Sequence, residues 1–176
     1  MTSLFVLFIF LPGIFGVAKS EEPNRNEYRN SNYGYAVRIP DGIKAETSAP
    51  PNPNHGFRAM LVPTGELWVN ASYTDDSSLH AVLKSERQMW KDNCQELGSK
   101  STVLGALPAS RMTFKCSAVE GGSGPTMVTI VVALLTPTRD SRIIYEVGFQ
   151  RPSQENEAQD QIFRQIVKDF HPIPRE

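Results

Sequence analysis

The residues able to do chemistry in this chain are few and scattered. Three histidines stand at positions 55, 80 and 171. His55 lies in a Pro/Asn-rich loop, His80 in the first turn of a predicted helix, and His171 beside Pro172. Their spacing shows no metal-ligand set, so each reads as a solvated or capped histidine, although folding can bring two of them together. Asp75-Asp76 suits a cation or a carboxylate pair, but adjacent acids just ahead of a helix more simply cap it and meet its positive end. Gly121-Gly-Ser-Gly124 superficially suggests a nucleophile elbow; Pro125 breaks the Gly-x-Ser-x-Gly spacing, and the run reads as a hairpin turn. No phosphate-cradling glycine loop, dinucleotide fingerprint or EF-hand spacing occurs. The sequence therefore implies no cofactor and no metal. For an enzyme it offers only a dispersed set, His55 with Asp75 or Asp76.

Three further features bear on chemistry or contact. Cys94 and Cys116 are the only cysteines. An even pair in an exported chain is most simply one disulfide. Two cysteines without clustered histidines cannot complete a tetrahedral zinc site, and the spacing is not that of a Cys-x-x-Cys redox centre. Closing a loop of a little over twenty residues is worth about 3 kcal/mol by chain entropy. Trp68 alternates with Leu67 and Val69, so it lies either under a helix or outward as a contact surface for a partner or ligand, with His55 as a second candidate contact. Asn70-Ala-Ser72 is an N-glycosylation acceptor by sequence, on a strand.

The elements that must position these residues begin after an export signal. Leu4 to Leu11 is an unbroken apolar run; Pro12-Gly13 and Ile14 to Ala18 follow, then small residues at 18 and 20 ahead of Glu21-Glu22. That order is a secretory signal, cleaved after Ala18 or Ser20, despite an n-region without Lys or Arg. About fifteen apolar residues interrupted by Pro12 fall short of the roughly 20 that span a bilayer. No later segment is long and apolar enough, so no integral span is expected after cleavage. Residues 21–176 form one domain. Net charge is −1, with no Lys/Arg block, which disfavours nucleic acid as a partner.

Tyr35, Val37 and Ile39 alternate as a half-buried strand, with Glu27 to Asn30 as its partner and Pro40-Asp-Gly42 as the turn after it. Ile43 to Thr47 extends the sheet until the prolines at 50, 51 and 53 end it. Phe57 to Val62 and Leu67 to Thr74 flank Pro63-Thr-Gly-Glu66 as a hairpin. Asp75 to Ser78 caps a helix whose Leu79, Val82, Leu83, Glu86 and Trp90 recur at helical spacing, so that one face packs on the sheet apart from Glu86. Cys94 stands at or just past the helix end and Gly98 closes the region. Met112, Phe114 and Cys116 share the apolar side of a strand, where a bridge from Cys94 would pin helix to sheet. Met127 to Leu135 is a central strand, Arg142 to Gln150 the next, and a last helix runs from a Ser153 cap through Ala158, Ile162, Phe163, Ile166, Val167 and Phe170 to Pro172. Hairpin-gathered strands with two amphipathic helices make an α+β fold, an antiparallel sheet with two packed helices.

The run Tyr28-Arg-Asn-Ser-Asn-Tyr-Gly-Tyr-Ala-Val-Arg-Ile-Pro40 resembles the opening hairpin of proteins with the Mog1/PsbP-like fold, and the order of elements after it is similar. The resemblance implies an α/β/α-type sandwich. It carries over no binding residues, because that fold serves photosystem accessory proteins, nuclear-transport cofactors and many exported bacterial proteins of unassigned role. The function expected is therefore an exported, non-enzymatic binding or accessory protein, secreted or periplasmic, with an unknown protein or small ligand as partner. The alternatives are a secreted or periplasmic enzyme with the dispersed His55/Asp75/Asp76 site, and an inhibitor or immunity-type protein that uses Trp68 or the Pro-rich loop.

Overall fold

The structure, a computed structural model, describes residues 26–47, 55–117, 124–138, 141–154 and 156–175. The expected signal at 1–20, the Pro-rich loop at 48–54 and most of the Gly-rich run, 118–123, lie outside the described residues. Strands β1 (Glu27–Asn30) and β2 (Tyr35–Arg38) form the opening hairpin, and Gly34 at φ +69° supplies the left-handed turn residue between them. Then come β3 (Ala45–Thr47), β4 (Gly56–Met60), β5 (Glu66–Thr74), α1 (Leu79–Trp90), β6 (Cys94–Leu104), β7 (Leu107–Cys116), β8 (Thr126–Thr138), β9 (Ser141–Pro152), α2 (Glu157–Asp169) and β10 (His171–Pro172).

The strands make two sheets. One has the order β1-β2-β10; the other has seven strands in the order β3-β4-β5-β9-β8-β7-β6, and every pairing is antiparallel. Alternation along the central strands sends side chains to two cores. Leu67, Val69, Tyr145 and Val147 pack with Phe163, Ile166 and Phe170 of α2 and with the small sheet. Met112, Phe114, Val128, Ile130 and Val132 face the other way, onto Val82 of α1. The large sheet is thus sandwiched, with α1 on one face and α2 plus the small sheet on the other, as an α+β sandwich requires. The tyrosines of the opening motif fasten these layers. The Tyr35 ring stacks on Phe170 at 5.2 Å, the Tyr35 hydroxyl donates to the His55 carbonyl at 2.9 Å, and the Tyr145 hydroxyl donates to the Tyr33 carbonyl at 2.7 Å.

Four local expectations are corrected. First, Cys94 opens β6 directly opposite Cys116 of β7, and the two are joined in a disulfide, so the bridge staples two neighbouring strands and does not pin helix to sheet. Gly98 lies inside β6 at a bulge beside Glu96, and does not end the region. This edge strand is exposed almost throughout and lacks an apolar alternation; ladder bonds to β7 hold it, which no side-chain period reveals. Second, of the residues 75–78 expected to cap α1 it is Ser78 that does so, its hydroxyl accepting from the Ala81 N–H, whereas the expected negative charge is missing from the first turn, which holds no acid. Third, Asn156, not Ser153, caps α2. Its Ala158 is exposed, and Gln159 is buried in its place because its amide donates to the Val62 and Thr64 carbonyls in the β4–β5 turn, at 3.0 and 3.3 Å. Fourth, Pro172 does not terminate the helix: Phe170 is its C-cap, and His171-Pro172 pairs with β2.

Candidate functional site

Helix α1 lies over β7 and β8, leaving the same face of β4, β5 and β9 only partly covered. A groove of about 700 Å³ runs between them. Trp68, Asn70 and Ser72 reach it from β5 by strand alternation, while Leu67 and Val69 go to the opposite core. Trp68 is paired in register with Gly148 of β9, and a Cβ at Gly148 would overlap the indole ring. The glycine is what lets the ring lie across the neighbouring strand. Two residues before it, on the same face, Glu146 accepts a hydrogen bond from the indole N–H of Trp68.

The other wall comes from α1. Val82 and Glu86, one turn apart, are the helix's two buried residues. Glu86 was set apart above as the residue that would not pack; it packs, 6% exposed, and its Oε2 has no hydrogen-bond partner among the described residues. Burial, reinforced by the negative Glu146, pushes the Glu86 carboxyl up to about 7, against a weaker opposite effect of a hydrogen bond from Trp90. Burial likewise raises Glu146, and the bond from Trp68 partly offsets it. The indole N–H of Trp68 therefore serves Glu146. Trp90 stacks on Phe114 at 5.9 Å, fixing its ring at the floor of the helix, and Met89 beside it is 67% exposed at the groove. Arg58 is the groove's arginine, and it is already paired with Glu66 at 3.2 Å. The site is an aromatic cleft with an excess of acid.

Of the residues singled out from sequence, Trp68, Asn70 and His55 all border this groove. His55 is engaged elsewhere: its Nδ1 is 2.8 Å from the Ala71 carbonyl and 2.9 Å from the Tyr33 hydroxyl. A carbonyl can only accept, so Nδ1 carries the hydrogen. Neither Asp75 nor Asp76 is among its hydrogen-bond or ion-pair partners among the described residues. Asp75 and His80 are exposed, and His171 sits in the small sheet, 3.7 Å from Glu27. Asn70 is held between Gly56 and Glu146 on the neighbouring strands. Sequence reasoning passed over Glu86 and Glu146. The signal for Glu86 was its place on the apolar stripe of α1; for Glu146, its place between Ile144 and Gly148 on the strand face opposite Tyr145 and Val147.

No protein-family model matches the chain, and no curated protein matches it by sequence. By structure it is similar to LpqN of Mycobacterium tuberculosis, described as involved in cell envelope biogenesis, with a TM-score of 0.61 at 15% identity over 80% of this chain and 83% of LpqN. It is similar to the cyanobacterial PsbP of Synechocystis, with a TM-score of 0.53 at 12% identity over 83% and 91% of the two chains. The Ran-binding protein Mog1p of Saccharomyces cerevisiae gives a TM-score of 0.51 at 16% identity over 86% and 96%. The chain has the Mog1/PsbP-like fold. Among the described residues no helix is long and apolar enough to cross a membrane.

Proposed function

We propose that this chain is an exported, non-enzymatic binding or accessory protein that holds its ligand in the groove between α1 and the sheet. The observation that carries it is Glu86: a buried carboxyl with one oxygen unpartnered among the described residues, in the wall of an aromatic cleft. Such an arrangement costs stability in the empty protein and is relieved by a ligand that supplies the missing donor. The fold supports a binding role by analogy, since LpqN is described as involved in cell envelope biogenesis and Mog1p as Ran-binding. Export is supported by the signal-like residues 1–20 and by the bridged cysteine pair. The mature product should begin at Lys19 or Glu21 by N-terminal sequencing; an exported product that retains Met1 overturns cleavage.

The groove is tested by recording amide spectra of the mature protein against a small-molecule fragment library. Perturbations centred on Trp68, Glu86 and Glu146 are expected; perturbations confined to β6 or to the small sheet would sink the assignment. A second reading, an acid–base enzyme in the same groove, is favoured by one feature, that burial and the neighbouring Glu146 push the Glu86 carboxyl up to about 7. It requires turnover that Glu86→Gln abolishes, where the binding reading requires none. An inhibitor-type role for Trp68 is less well supported, since the ring lies along β9 with its N–H engaged by Glu146.

A further inference from the structure

Resting on the groove assignment above, we infer that its ligand is an organic ammonium ion, a primary or secondary amine carried on a compact apolar body. Four observations converge on that chemistry. The unpartnered Oε2 of Glu86 can only accept when the carboxyl is ionised, so it calls for a donor, and an ammonium N–H is the donor that also supplies the opposite charge. The groove holds three carboxyls, Glu66, Glu86 and Glu146, against the single guanidinium of Arg58, which Glu66 already pairs at 3.2 Å. An anionic ligand would meet uncompensated negative charge. The walls are the indoles of Trp68 and Trp90 with the thioether of Met89, surfaces that suit the apolar body and attract a cation to the ring face. The volume, about 700 Å³, is that of a small-ligand site and far more than a bare ion fills. Among the described residues no group of three His, Cys, Asp or Glu side chains is arranged to hold a metal ion.

Binding should be linked to a proton. The ammonium donates to the ionised carboxylate of Glu86, so a protonated Glu86 must first release its proton to solvent. Among the described residues Glu146 on β9 is the charged group that acts on Glu86; Glu66 and Arg58, paired across β5 and β4, and His55 line the same groove, and Arg87, next to Glu86 on α1, is taken by Glu96 at 3.0 Å. None of these places an unpaired cation at Glu86 ahead of the ligand.

The probe is 2-phenylethylammonium, with 2-phenylethanol and 3-phenylpropionate as neutral and anionic controls. Both tryptophans of the chain line the groove, so intrinsic fluorescence reports occupancy and amide spectra give its location. The ammonium should bind at least about tenfold more tightly than the alcohol, and the carboxylate not measurably. Its affinity should rise about tenfold or more from pH 5.5 to pH 8 as the competent ionised fraction grows, the amine staying protonated throughout. Glu86→Gln should flatten that dependence and cost at least about tenfold at pH 8, and Glu146→Gln, which keeps an acceptor for the Trp68 N–H, should weaken binding less. Equal binding of alcohol and ammonium in the groove overturns the ammonium assignment and leaves the groove standing. An ammonium that binds with no dependence on Glu86 or pH, or that leaves both tryptophans unperturbed at millimolar concentration, also overturns it. Fragments of every charge that bind only elsewhere overturn both.

Discussion

Replacing Glu86 by glutamine should stabilise the protein at neutral and alkaline pH and leave it nearly unchanged at pH 4. The side chain is 6% exposed, and its carboxyl titrates at about 7 in the fold against 4.5 as the ordinary value. Below pH 4.5 the group is protonated in both the folded and the unfolded chain, so it adds no charge-burial cost and glutamine mimics it. Between these two values the folded state holds a proton that the unfolded state has lost, and stability falls as pH rises. Above pH 7 both states are ionised and the full cost is present, about 3 kcal/mol at roughly 1.4 kcal/mol for each tenfold in the proton equilibrium. That is a sizeable part of a typical domain's 5–15 kcal/mol. Urea unfolding followed by far-ultraviolet circular dichroism at pH 4.5, 6, 7 and 8.5 measures it, as the difference between native and variant free energies. All other titrating groups are common to both proteins, so the difference isolates Glu86 and its coupling to Glu146. A difference that stays flat within about 1 kcal/mol over this range would refute the account of a buried, charge-strained carboxyl. Introducing Glu146→Gln into both should move the midpoint of the difference to lower pH, because the neighbouring negative charge is gone.

Gly148→Ala should destabilise the fold by about 1–3 kcal/mol through overpacking and shift the tryptophan emission, since the new methyl overlaps the Trp68 indole; an unchanged emission spectrum would contradict the placement of that ring. Replacing both Cys94 and Cys116 by alanine should cost about 3 kcal/mol by urea unfolding while leaving the β6–β7 pairing in place, and alkylation of the native protein without reduction should add no mass. Tyr145→Phe should lose about 1–2 kcal/mol, because the Tyr33 carbonyl forfeits its buried donor. If Asn70 carries a glycan after secretion from a eukaryotic host, enzymatic removal should reduce the mass and raise affinity for the groove probe, because that residue borders the cleft.

Local periodicity made most of the architecture legible. Tyr35, Val37 and Ile39 announce β2, Leu79, Val82, Leu83 and Trp90 the first helix, and the Met127–Leu135 run the centre of the sheet, because each pattern turns its apolar side chains toward one of the two cores. β6 was invisible for the converse reason: an exposed edge strand such as Gln95 to Ser101 answers to its ladder with β7 and not to burial. The groove was half legible. Trp68 stood out by size and Glu86 by its place on an apolar stripe, but their common cleft depends on pairing Trp68 with Gly148, 80 residues further on, and on α1 leaving that part of the sheet uncovered. Such facts belong to strand order. They are not properties of any segment.

The small sheet joins early and late parts of the chain: β10 pairs with β2, the Ile173 N–H donates to the Gly34 carbonyl at 2.8 Å, and Phe170 covers Tyr35. A chain emerging N-terminus first can make the opening hairpin but cannot shelter it until more than a hundred further residues have arrived. The native shelter of the opening hairpin is therefore completed only by the last segment of the chain. If the chain is exported, as proposed above, and crosses unfolded, this late closure by Phe170 would fall after passage.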